Sequence, residues 1–144
     1  MIITSNIEQA KNLIKKEKKP IIVKAQDDNF NRKLLEYGKF DVLLSVERGK
    51  RIDKLKQMYS GLNHVLAKIA TKNNVAIGID MNEICNLDKK ERAKVLGRII
   101  QNIKICRKAK TRLKLFNYKD KIDAFSFLLS LGASTSQAKE AVDF

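Results

Sequence analysis

The amino-acid sequence predicts an α/β fold in which short parallel strands alternate with helices. Three observations carry this. Brief β-branched runs and amphipathic stripes take turns along the chain. Such alternation implies right-handed βαβ units and a parallel sheet. No low-complexity segment or linker interrupts the 144 residues, so they read as one domain, 1–144. The strands number about five, too few for an eight-stranded closed barrel.

Ile2-Ile3 opens the first short strand. Residues 6–18 follow as a helix with Ile7, Ala10, Leu13 and Ile14 inward. Lys15, Lys16, Lys18 and Lys19 close it and complement its dipole. Pro20 stops it, and Ile21-Ile22-Val23 is the second strand. Residues 29–37 form a short helix ended by Gly38, suited to a left-handed C-terminal turn. Val42-Leu43-Leu44 is the third strand, and the polar, basic stretch 46–59 reads as a long loop with some helix. Residues 61–73 carry Leu62, Val65, Leu66, Ile69 and Ala70 at helical spacing. Val75 to Asp80 is the fourth strand. Asp88, with Glu91 three residues on, starts a long helix to about Lys108 with Val95, Leu96, Ile99, Ile100, Ile103 and Cys106 inward. Leu113 to Phe116 is the fifth strand, and 120–131 is an amphipathic helix ended by Gly132. Ser134 with Gln137 opens a last short helix, Ser136 to Val142.

Charge narrows the function. Thirty Lys and Arg oppose sixteen acids, giving a net charge of +14. Such a field draws in polyanions, and nucleic acid is the partner it implies. Six Phe, three Tyr and no Trp argue against a stacking platform for a run of single-stranded bases. Phosphate contacts to a folded RNA fit better. No apolar run reaches the ~20 residues of a membrane span, and no leader pattern opens the chain. A cytoplasmic protein away from membranes is expected. Cys85 and Cys106 lack metal or redox spacing and read as buried thiols. A single histidine, His64, leaves a multi-histidine metal phosphoesterase without ligands. Asp80, with Asn82 and Glu83, stands at a strand end and is a candidate for one Mg²⁺, the simpler reading being a cap on the next turn. The glycine-rich phosphate loops and the nucleophile elbow are absent. No catalytic, metal or cofactor residue is assigned.

The stretch from Asp41 to Asp80, DVLLSVERGKRIDKLKQMYSGLNHVLAKIATKNNVAIGID, resembles the central block of ribonuclease P protein component 3, the archaeal relative of the thirty-kilodalton subunit of nuclear ribonuclease P. The pattern is a strand ending in Ser, a basic loop, then Ser60-Gly61-Leu62-Asn63-His64-Val65-Leu66-Ala67-Lys68 and Lys72-Asn73-Asn74-Val75-Ala76-Ile77. Arg92-Ala93 to Leu96 and Leu131-Gly132-Ala133-Ser134 with Gln137-Ala138-Lys139 also fit, so the resemblance runs from residue 22 to residue 142. It implies a TIM-barrel-like fold related to the polymerase and histidinol phosphatase group, without that group's metal ligands. Family members are longer and begin with further strand–helix units, so a partial or distorted barrel with an edge needing cover is expected.

The resemblance also implies a function. The chain would be a subunit of ribonuclease P, the endonuclease that removes 5′ leaders from precursor tRNA, and would not be catalytic alone. The RNA subunit would hold the Mg²⁺, and this chain no cofactor. The partners implied are the ribonuclease P RNA, protein component 2 in a heterotetramer, the other protein subunits, and precursor tRNA as holoenzyme substrate. The competing readings are a basic RNA-binding or assembly protein of another ribonucleoprotein particle, and a diverged metal hydrolase.

Two clusters are candidates for RNA or partner contact. Ser60, Asn63 and His64 follow the third strand at the carboxyl-end face, where βα folds carry function, with Lys68 one turn on. The loop just upstream adds Arg48, Lys50, Arg51, Lys54 and Lys56. The alternative is that Ser60 or Asn63 caps the helix and His64 binds a neighbouring carbonyl. The second cluster, Lys104, Arg107, Lys108, Lys110, Arg112 and Lys114, is expected at the opposite, amino-end face. Its alternative is solvated charge favouring the helix C-terminus.

Overall fold

The computed structural model describes residues 1–49, 51–53 and 58–143. Four parallel strands, β1 (Ile22–Lys24), β2 (Val42–Leu44), β3 (Ala76–Asp80) and β4 (Leu113–Phe116), lie side by side in sequence order. Ile22 pairs with Val42, Val42 with Ala76, and Ile77 with Leu113. The sheet is an open wall, consistent with part of a TIM-like barrel. Leu43, Ile77 and Val23 are wholly buried on it.

The expected first strand shrinks to a single bridge, so the sheet has four strands rather than five. Ile2 N donates to Ile22 O at 2.8 Å, and Lys24 N donates to Ile2 O at 2.9 Å. The reason is local. Thr4 Oγ1 accepts from Asn6 N at 3.3 Å and Asn6 caps α1 (Ile7–Lys16), accepting from Gln9 N at 3.1 Å, so the chain turns off the sheet soon after Ile2.

The other helices are α2 (Asp28–Tyr37), α3 (His64–Lys72), α4 (Met81–Cys85), α5 (Lys89–Ala109), α6 (Lys121–Ser130) and α7 (Thr135–Ala141). Asp27, Asn63, Asp88, Asp120 and Ser134 each cap one, accepting from a first-turn N–H that would otherwise lack a partner. Ser134 and Gln137 complete a reciprocal capping box. Gly38, at φ +66°, ends α2 as expected. Helix α4 is an addition, one short turn capped by Asp80, whose Oδ1 accepts from Asn82 N at 2.9 Å. Asp80 therefore takes the capping reading.

Three expectations about burial are corrected. Val65 is 56% exposed, because α3 buries its Leu66, Ala67 and Ala70 face instead. The small alanines let α5 approach closely, and Thr111 Oγ1 donates to Ala67 O at 3.0 Å to fix the contact. Cys85 is exposed at the end of α4, whereas Cys106 is buried and its thiol is pushed up to about 12 by that burial. Leu13 is partly exposed rather than core. Among the described residues of 46–59 none is helical, and 54–57 lie outside the described residues.

Helix α5 buries Val95, Ile99, Ile103 and Cys106 as predicted, but Arg98 and Asn102 are buried too. The segment after β2 folds back over this helix. Arg98 donates to Glu47 O at 3.3 Å and Arg51 O at 3.2 Å, and Asn102 Nδ2 donates to Ser60 O at 3.1 Å. These buried groups satisfy carbonyls that a loop would otherwise leave unpaired.

Candidate functional site

The segment between β2 and α3 builds the site. It leaves the sheet at Ser45, in the left-handed region at φ +62°, and carries Glu47 into the interior at 2% exposure. Arg51 follows Glu47 inward, its side chain only 4% exposed. Its Nη1 donates to Asp28 Oδ1 at 2.8 Å and its Nε to Arg48 O at 3.1 Å. Its guanidinium also stacks 5.0 Å from the centre of the Tyr59 ring. Arg51 thus spends its charge inside the fold. Arg48 keeps a third of its side chain exposed, with Nε 3.9 Å from Glu83 Oε2, and Lys24 Nζ binds Glu83 Oε1 at 2.8 Å. Lys50, Lys54 and Lys56 lie outside the described residues.

Ser60 is buried, its Oγ donating to Leu62 O at 3.3 Å and accepting from Gln101 Nε2 at 3.0 Å. Gly61 follows at φ +82°, and a Cβ there would run into the Val46 carbonyl oxygen. Only glycine permits that close passage. Asn63 caps α3 through its Oδ1, which accepts from Leu66 N at 2.9 Å, in line with the capping alternative. His64 is exposed and its imidazole makes no hydrogen bond among the described residues, so it does not bind a neighbouring carbonyl. Lys68 is exposed one turn further on.

The two clusters are not on opposite faces throughout. Because α5 is 21 residues long and packs along α3, its late turns pass beside His64. His64, Lys104, Ile105, Arg107 and Lys108 line one shallow depression of about 390 Å³. His64 and Ile105 also line a larger groove of about 610 Å³, with Met58, Tyr59, Asn63, Val65 and Gln101. Lys110, Arg112 and Lys114 do lie apart, at the amino-end side. Lys110 takes a left-handed turn that ends α5, and Arg112 Nη2 donates to Asn74 O at 2.9 Å. Among the described residues no group of three or more His, Cys, Asp or Glu could hold a metal, and no helix is long and apolar enough to cross a membrane.

Sequence reasoning missed the groove. The apolar stripe placed Val65 inward and left out Ile105, whereas Val65 faces outward at the groove and Ile105 lines it. The outward placement of Lys104, Arg107 and Lys108 was legible, since they interrupt the apolar stripe of α5.

The arrangement defines a class: a basic, parallel βα-repeat protein with an open sheet and an exposed cationic flank. No family model matches the chain. Among curated proteins it is similar to ribonuclease P protein component 3 of Methanococcus maripaludis (strain C6), 29% identical over 113 residues, 76% of this chain and 46% of that protein. The component 3 of Methanosarcina barkeri is 26% identical over 151 residues, covering 98% of this chain and 60% of its own. The chain thus spans about half the length of the curated relatives it matches. Among solved structures it is similar to a chain in the cryo-EM structure of archaeal ribonuclease P with mature tRNA. The TM-score is 0.81 at 25% identity, covering 99% of this chain and 62% of that one.

Proposed function

We propose that this chain is a protein subunit of ribonuclease P, supporting RNA-catalysed endonucleolytic removal of 5′ leaders from precursor tRNA in the cytoplasm. The observation that carries this is the exposed cationic flank of Lys104, Arg107 and Lys108 beside His64, on a chain similar to component 3. The flank offers positive charge, which suits phosphate neutralisation in a particle whose RNA holds the catalytic Mg²⁺. Protein component 2 is the proposed partner, in a heterotetramer, alongside the other subunits.

Reconstitution with the RNA subunit tests this. The chain alone is expected to leave precursor tRNA intact, and adding it to the particle should lower the Mg²⁺ needed for cleavage. Cleavage by the RNA-free chain would contradict the proposal. Replacing Lys104, Arg107 and Lys108 with Ala should flatten the slope of log affinity against log salt by roughly 2 to 3, one counterion release being lost per phosphate contact. An unchanged slope would remove this flank from the RNA interface. Base discrimination should hardly change, because phosphates carry no base identity.

A further inference from the structure

We propose that the groove beside His64 receives one unpaired RNA nucleotide, its base on Tyr59 and its phosphate on the α5 flank; this rests on the RNA-binding reading above. The floor is apolar, formed by Leu62, Leu66 and Ile105. Tyr59 stands at the rim, 39% exposed, and lines the groove. The Arg51 guanidinium covers one ring face at 5.0 Å, so the other face is the one left for stacking. The ring is held in place from behind, since Tyr59 N donates to Asp53 Oδ1 at 2.7 Å and Arg51 is itself tied to Asp28.

The polar groups around the floor suit a base edge. Asn63 uses its Oδ1 for the cap and Gln101 uses its Nε2 on Met58 O and Ser60 Oγ. The Asn63 amide N–H₂ and the Gln101 Oε1 have no partner among the described residues, offering one donor and one acceptor. His64 and Ile105 belong to both the groove and the cationic depression, so a base in one and its phosphate in the other are a single ridge apart. Charge complementarity selects RNA over a protein segment as the occupant. A platform for a run of bases would need several aromatic rings, whereas one nucleotide needs one.

The test uses the full chain and two oligonucleotides of equal length and charge, an oligouridylate and its abasic ribose-phosphate counterpart. The oligouridylate is expected to bind roughly 5- to 150-fold more tightly, the range for one stacked base. Tyr59→Leu should erase most of that difference and Tyr59→Phe should keep it, while both variants retain the salt slope. Val65→Gln, at an exposed rim position that leaves the core alone, should weaken oligouridylate binding and spare the abasic strand. Equal affinity of the unaltered chain for the two strands overturns the groove assignment without needing any variant, and salt-dependent binding of both would leave the phosphate flank standing. Binding of neither strand overturns the groove and the RNA-contact reading together. If Val65→Gln weakens only the pairing with component 2, the groove is a protein-docking surface and the proposal fails.

Discussion

Arg98→Met is expected to destabilise the chain by about 3 kcal/mol, read as a shift in urea-unfolding free energy. Arg98 is 5% exposed, and its guanidinium spans three groups of the folded-back segment: the carbonyls of Glu47 and Arg51, and the Asp53 carboxylate at 3.3 Å. Methionine matches the stem but leaves two carbonyls and a part-buried carboxylate without their donor. Breaking a buried pair by removing one partner costs on the order of 3–5 kcal/mol. Asp53 keeps 29% of its side chain in solvent, which places the expectation at the lower end. Arg98→Lys should recover less than half, because one ammonium cannot reach all three acceptors. A loss under about 1 kcal/mol would show that the segment holds its course without Arg98. The same variant should weaken oligouridylate binding, since Asp53 also fixes the backbone of Tyr59.

Glu47→Gln should remove a pH dependence of similar size. The Glu47 carboxyl is raised to about 7, chiefly by burial, with the Glu83 carboxylate adding to the rise. Its own backbone N–H and the Arg48 and Arg51 guanidinium groups pull the other way. Oε2 of Glu47 has no hydrogen-bond partner among the described residues, as a buried neutral acid permits. Below the ordinary value of 4.5 both folded and unfolded chains carry the proton, and the site costs nothing. As pH rises toward 7 the unfolded chain releases the proton while the folded one keeps it, so stability falls; above 7 the loss is complete. At about 1.4 kcal/mol per unit, the loss is about 3 kcal/mol. Glutamine has the same shape and no charge to bury. The stability difference between the unaltered chain and E47Q should therefore widen by that amount between pH 4.5 and pH 8, with E47Q gaining. Parallel curves would mean that Glu47 ionises as freely in the fold as outside it.

Much of the fold was legible because local signals agreed with one another. Strand runs such as Ile77–Ile79 and caps such as Asn63, Asp88 and Ser134 marked the elements to within a few residues. What failed was decided by contacts distant in sequence. Nothing near Arg51 announces Asp28 as its partner, so a residue expected to meet phosphate is an internal strut. Val65 belongs to the apolar stripe by spacing, yet the alanines of α3 set which side meets α5. Arg98 and Asn102 could have been suspected, since they stand three and seven residues after Val95 and share its side of the helix. Reading them as buried required knowing that a second segment covers α5. The candidate site was legible as charge and as the Ser60–Lys68 motif, but the groove arises only when that motif meets Gln101 and Ile105.

The strand order has a kinetic meaning. Each strand pairs with its neighbour in sequence, Ile22 with Val42, Val42 with Ala76 and Ile77 with Leu113, and no strand pairing described joins β1 to β4. A closed barrel must bring its first and last strands together, a loop closure whose entropic cost grows with the length of chain between them. An open row avoids that step and can assemble by adding one βα unit to the next, much as stacked repeats do. Amide exchange should then be slowest in β2 and β3, which are paired on both sides, and faster in β4, which is paired on one.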